Sequence, residues 1–145
     1  MNNDTTDRLE EKLVRIRDEN ELYRYLDDPD ALLGFASFPE YFLSLDRVAG
    51  MAPADLVRAS GIDRTYCYQI LNGTKPRPGR DKIIRLCIAA GLTLKETMRA
   101  LKTGGEAVLY ARNRRDAVII YCIEQGYSCE ETDILLDDMN ERPLM

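Results

Sequence analysis

The chain carries no histidine among its 145 residues, which removes the commonest general base, the commonest nitrogen ligand for metals and every Ser-His or Cys-His nucleophile pair. Thiols and carboxylates remain. Cys67, Cys87, Cys122 and Cys129 contain no CxxC pair, and three of them fall inside apolar helical patterns, so buried free thiols suit them better than a disulfide or metal ligation. Asp27, Asp28 and Asp30 lie together, as do Glu130, Glu131 and Asp133. Neither group has Gly and Asn/Asp at calcium-loop spacing, and both read as solvated surface. Neither GxGxxG nor GxxxxGK[ST] occurs, so no phosphate-cradling loop is present. No catalytic residue, metal or cofactor is expected, and the chain does not read as an enzyme.

Charge points elsewhere. The formal net charge is −5, yet its distribution is uneven: −6 over residues 1–48, +4 over 49–85 and −3 over 86–145. At physiological salt, fields are screened within about 8 Å, so a basic segment in an acidic chain can still hold a phosphate backbone. No apolar run approaches the ~20 residues that span a bilayer, and the polar, acidic N-terminus is unlike a secretory signal. A cytoplasmic protein with no membrane partner is expected.

The elements that position these groups all read as helix, and no alternating strand pattern persists, so the expected class is all-α. Leu9, Leu13 and Ile16, then Leu22 and Leu26, give a helical stretch over 6–28 that Pro29 bounds. Ser37 and Glu40 fit a capping box opening a helix with Phe38, Phe42, Leu45 and Ala49 on one face. Two short helices follow, over 53–60 and 63–71. Gly61 supplies the positive φ that ends the first, Ile62 plugs the turn, and Asp63 caps the second. Leu56, Val57, Cys67 and Ile70 face inward, leaving Arg64, Thr65, Tyr66, Tyr68 and Gln69 on the outer face.

From Ala52 to Gly73 this pattern resembles the XRE family of phage-repressor-like helix-turn-helix proteins. Asn72-Gly73-Thr74-Lys75-Pro76-Arg77-Pro78 is similar to the family's NGK-x-x-P loop, and residues 80–101 are similar to its last two helices, a gap-free match over about 50 residues. The resemblance implies a lambda-repressor-like five-helix domain that binds double-stranded DNA. It places the 63–71 helix in the major groove, with Arg64, Thr65, Tyr66, Tyr68 and Gln69 reading base edges and Asn72, Lys75, Arg77 and Arg80 on phosphates. A transcription regulator is the expectation; the alternative is a helical adaptor that keeps the fold without DNA. Departures from the family pattern stand at Ala52 and Pro53, where a capping Ser or Thr and a polar residue are usual, and at Leu71, often Glu.

Residues 80–101 recur 35 positions later as 115–136, with Arg80/Arg115, Asp81/Asp116, Ile84/Ile119, Cys87/Cys122, Gly91/Gly126, Glu96/Glu131 and Leu101/Leu136 among the identities. Each copy is a helix stopped by glycine, followed by a capping box (Thr93–Glu96, Ser128–Glu131) that opens a second helix. The expected organisation is therefore an acidic N-terminal helix and linker (1–36), a DNA-binding domain (37–103) and a C-terminal hairpin extension (104–145). The apolar face Val118, Ile119, Cys122 and Ile123 has to be buried, either on the first domain or in a homodimer through the extension. Arg112, Arg114 and Arg115 admit three roles: a phosphate patch, a solvated helix start, or partners for the acidic N-terminal helix. No segment is large enough for an effector domain, so regulation is expected through a partner protein or dimerisation.

Overall fold

The computed structural model describes residues 6–26, 37–75 and 77–145, which fall into two compact units, 1–36 and 37–145. Among the described residues every regular element is a helix. The fold is all-α.

In the first unit the expected single helix is two, α1 (Thr6–Arg15) and α2 (Glu19–Leu26). The break is local chemistry: the Asp18 Oδ1 accepts from the Glu21 amide at 2.8 Å and restarts the chain as a new helix. Leu13, Leu22 and Leu26 are exposed. The Asp27–Asp28–Asp30 cluster and the Pro29 boundary lie outside the described residues.

The second unit holds α3 (Phe38–Ser44), α4 (Asp46–Ala49), α5 (Pro53–Ser60), α6 (Arg64–Leu71), α7 (Arg80–Ala89), α8 (Leu94–Thr103), α9 (Arg114–Gln125) and α10 (Cys129–Asp138). Ser37 caps α3 through the Glu40 amide, and Phe38 and Phe42 are fully buried, their ring centroids 5.1 Å apart. The face expected to continue through Leu45 and Ala49 does not. Leu45 is extended (ψ 134°), which ends α3 and turns α4 so that Val48 is buried and Ala49 is exposed. From there α3 packs on α8 and α6, α5 crosses α7, and α7 pairs with α8 as α9 pairs with α10. Ile83, Ile84, Leu86, Cys87, Leu101, Ile119, Cys122 and Leu136 form a continuous interior, so residues 104–145 share one core with 37–103.

The duplicated hairpins meet about a pseudo-two-fold relation: α7 contacts α10 as α8 contacts α9. Their seam is a reciprocal ion pair. The Arg80 guanidinium forks onto both oxygens of Asp116 (2.9 and 2.7 Å), and that of Arg115 forks onto both oxygens of Asp81 (3.0 and 3.0 Å). Each arginine also donates to two carbonyls at the end of its own hairpin: Arg80 to Ala107 and Val108, Arg115 to Arg142 and Pro143. The equivalence therefore runs beyond 101 and 136. The Glu106 amide bonds the Leu101 carbonyl as that of Glu141 bonds Leu136, both at 2.8 Å, and Leu109 and Leu144 are both buried. Gly105 (φ 74°) is matched by Asn140 (φ 60°), a non-glycine residue that adopts the left-handed region comparatively easily.

Removing one partner strands a largely buried charge, which costs more than the pair's net worth. Asp116→Ala should lower stability by about 2–4 kcal/mol, a drop on the order of 10 °C in melting temperature. The exchange of Arg115→Asp with Asp81→Arg should recover most of what either reversal loses, as read by thermal melts of the four species. Acid should have the same target. Burial opposes ionisation of Asp116, but Arg80, the Tyr110 amide and Arg115 outweigh it and hold its carboxyl below the usual range. A lowered folded-state value means the contribution is complete above the ordinary carboxylate range and is lost as pH falls through it. Asp116→Asn should therefore flatten the decline of melting temperature between about pH 5 and about pH 2.5.

Candidate nucleic-acid interface

The helix 53–60 ends because Gly61 is left-handed (φ 68°), a conformation that costs glycine nothing. A Cβ at Gly61 would also collide with the Arg85 guanidinium. Arg85 is buried and donates to the Ser60 carbonyl (2.6 Å) and to Asp133 of α10 (2.9 Å), so it anchors the end of α5 to the C-terminal hairpin. Ser60, also buried, donates to the Val57 carbonyl and accepts from the Ile62 amide. Ile62 fills the turn, and Asp63 caps α6 by accepting from the Tyr66 amide at 3.1 Å. Periodicity did not single out Arg85 or Ser60. A basic residue among Ile83, Ile84, Leu86 and Cys87 was the available signal, because arginine on an apolar face must find acceptors.

Cys67 and Ile70 are fully buried and fix the orientation of α6. Of the outward set, Arg64 and Thr65 are exposed, while Tyr66, Tyr68 and Gln69 are half-buried. The Arg64 guanidinium lies 5.8 Å from the Tyr68 ring centroid and the Lys82 ammonium 5.3 Å from that of Tyr66, both within cation–π range. The loop beyond α6 is held by its own polar groups: the Asn72 Oδ1 accepts from the Thr74 amide (2.8 Å), and the Lys75 amide donates to the Gln69 carbonyl (3.0 Å). Asn72, Lys75 and Arg77 are exposed. Arg64, Lys75, Arg77 and Lys82 make no ion pair among the described residues.

One expected member leaves the set. Arg80 is committed to Asp116 and two carbonyls, and its guanidinium points into the hairpin seam instead of toward a phosphate. Lys82, not singled out beforehand, joins the α6 face two positions later. Ala52 contributes no side-chain cap to α5, and Pro53 and Ala52 are exposed; Leu71 is half-buried. Of the second basic cluster, Arg115 is paired with Asp81, and Arg114 reaches Glu141 (3.1 Å) and the Met139 carbonyl. Their partners lie in this same unit. Arg112 is exposed.

All four cysteines are free and buried. Burial pushes the Cys87 thiol well above its usual range and that of Cys129 up to about 11, so both stay protonated at neutral pH. No group of three potential metal ligands occurs among the described residues, and no described helix is long and apolar enough to cross a membrane. Comparison with protein-family models, curated proteins and solved structures yields no match. Native protein should react with a thiol reagent at neutral pH far more slowly than denatured protein, which should release four equivalents. A fast native equivalent would reveal an accessible thiolate.

Proposed function

We propose that this protein binds double-stranded DNA sequence-specifically, with α6 in the major groove, and acts as a transcription regulator. The observation that carries the reading is the pairing of an α5–turn–α6 unit, held from behind by Arg85, with an outer face whose cations make no ion pair among the described residues. Arg64, Thr65, Tyr66, Tyr68 and Gln69 are the base-reading candidates; Asn72, Lys75, Arg77 and Lys82 are the phosphate candidates. The likeness of residues 52–78 to XRE-type regulators supports the same assignment. Buried, protonated thiols suit a reducing compartment, and the cytoplasm is the proposed location. Regulation is assigned to a partner protein, and no cofactor is invoked.

Phosphate contacts release counterions, so affinity for duplex DNA should fall steeply with salt. Lys75→Ala and Lys82→Ala should weaken all duplexes nearly equally and reduce the salt slope by about 1 each. Gln69→Ala and Arg64→Ala should instead erode preference for the best site by about 1–3 kcal/mol. Arg80→Ala should act on melting temperature and leave the salt slope in place. Anisotropy titrations on a selected site and a scrambled control check all of these. A folded sample that takes no duplex from a site-selection library at low salt would remove the DNA reading and favour the protein-binding adaptor, with Tyr66 and Tyr68 as interface aromatics.

A further inference from the structure

Of the apolar face of α9, which a second copy could have buried, Ile119 and Cys122 are fully buried and Val118 and Ile123 half-buried within the chain, where α9 packs on α10 and on α8 of the first hairpin. The manner of covering is that of a two-fold dimer, in which residue i of one unit meets j of the other and j meets i. Arg80 meets Asp116 while Arg115 meets Asp81, and α7 meets α10 while α8 meets α9. Such a contact closes after two units and leaves no equivalent surface for a third.

The two halves are not interchangeable. Arg85 lies on the first hairpin and Asp133 on the second, 2.9 Å apart across the seam. At a separation of 35 residues, the positions equivalent to Arg85 and Asp133 are Ile120 and Met98. Pairing two first hairpins would set each Arg85 against Met98, stranding a buried guanidinium. Pairing two second hairpins would set each Asp133 against Ile120, stranding a carboxylate that also accepts the Leu144 amide. Both like-with-like pairings leave a charge without its partner, buried on Arg85 and half-buried on Asp133, and first-with-second does not. The Tyr110–Asn113 connector joins the two, so the matching hairpin is always at high local concentration.

We infer that the C-terminal hairpin is a dimer partner supplied in cis, and that the chain works as a monomer whose DNA target is a single, non-palindromic element. The second clause rests on the proposed DNA reading; the first does not. It replaces the expected homodimer through residues 104–145.

Sedimentation equilibrium of the full chain from about 10 to about 500 µM should return the single-chain mass of 16.6 kDa throughout, with a melting temperature that does not depend on concentration. A two-chain mass or a concentration-dependent melt overturns the inference, including the case in which two chains exchange hairpins. On DNA, one copy of the selected element should bind as tightly, within about twofold, as each copy in an inverted repeat spaced one helical turn, about 10 base pairs. A gain of tenfold or more on the inverted repeat would refute the single-element target. A monomer that binds no duplex would uphold the cis pairing and remove the DNA reading instead.

Discussion

A guanidinium taken out of water must be met by acceptors, and in the 37–145 unit three arginines impose that constraint on the whole arrangement. Arg80 and Arg115 each demand a carboxylate and two carbonyls, which fixes the pairing of the hairpins and the path of the chain after each of them. Arg85 demands the Ser60 carbonyl and Asp133, which ties the end of α5 to α10 across the body of the unit. Apolar burial of Ile84, Leu101, Ile119 and Leu136 supplies driving force, but that term is non-directional. The forked ion pairs select one register among the packings that would bury those side chains equally well.

That constraint explains which features were readable from residue order. The α5–turn–α6 unit was legible because its determinants are local: Gly61 for the left-handed residue, Asp63 for the cap, and Leu56, Ile62, Cys67 and Ile70 at helical spacing. The duplication was legible for the same reason, since both capping boxes and both glycine stops repeat intact. The pairing of Arg80 with Asp116 is not legible locally, because the partner lies 36 residues away and a basic residue after a basic loop looks like a phosphate contact. The signal was nonetheless present. An Arg-Asp doublet preserved between two copies that differ at the very next position, Lys82 against Ala117, is unusual for solvated surface. The break at Leu45 was not legible, because Phe38, Phe42, Leu45 and Ala49 satisfy a single helical face and only the demands of α8 and α6 overrule it. Glu106/Glu141 and Leu109/Leu144 would have extended the repeat, had the dissimilar 102–105 and 137–140 segments not interrupted it.

The same accounting separates charges that stabilise from charges that remain for a ligand. Arg80, Arg85, Arg114 and Arg115 are each bound to a carboxylate within the unit, and Arg58 is paired with Asp55 at the surface. Among the described residues Arg64, Lys75, Arg77 and Lys82 make no ion pair, and they fall on α6, the loop after it and the first turn of α7. Two of them rest near tyrosine rings, an arrangement that restrains long side chains without neutralising them. An acidic chain can in this way present one positive face, since the screening length is shorter than the unit is wide. Carboxylates on α10, among them Glu130, Asp137 and Asp138, are exposed, and they oppose binding of a polyanion anywhere near that helix. On the proposed DNA reading, attraction at α6 and repulsion at α10 would together orient an approaching duplex. Arg85 joins these two regions physically, because one side chain bonds both the carbonyl that ends α5 and Asp133 of α10.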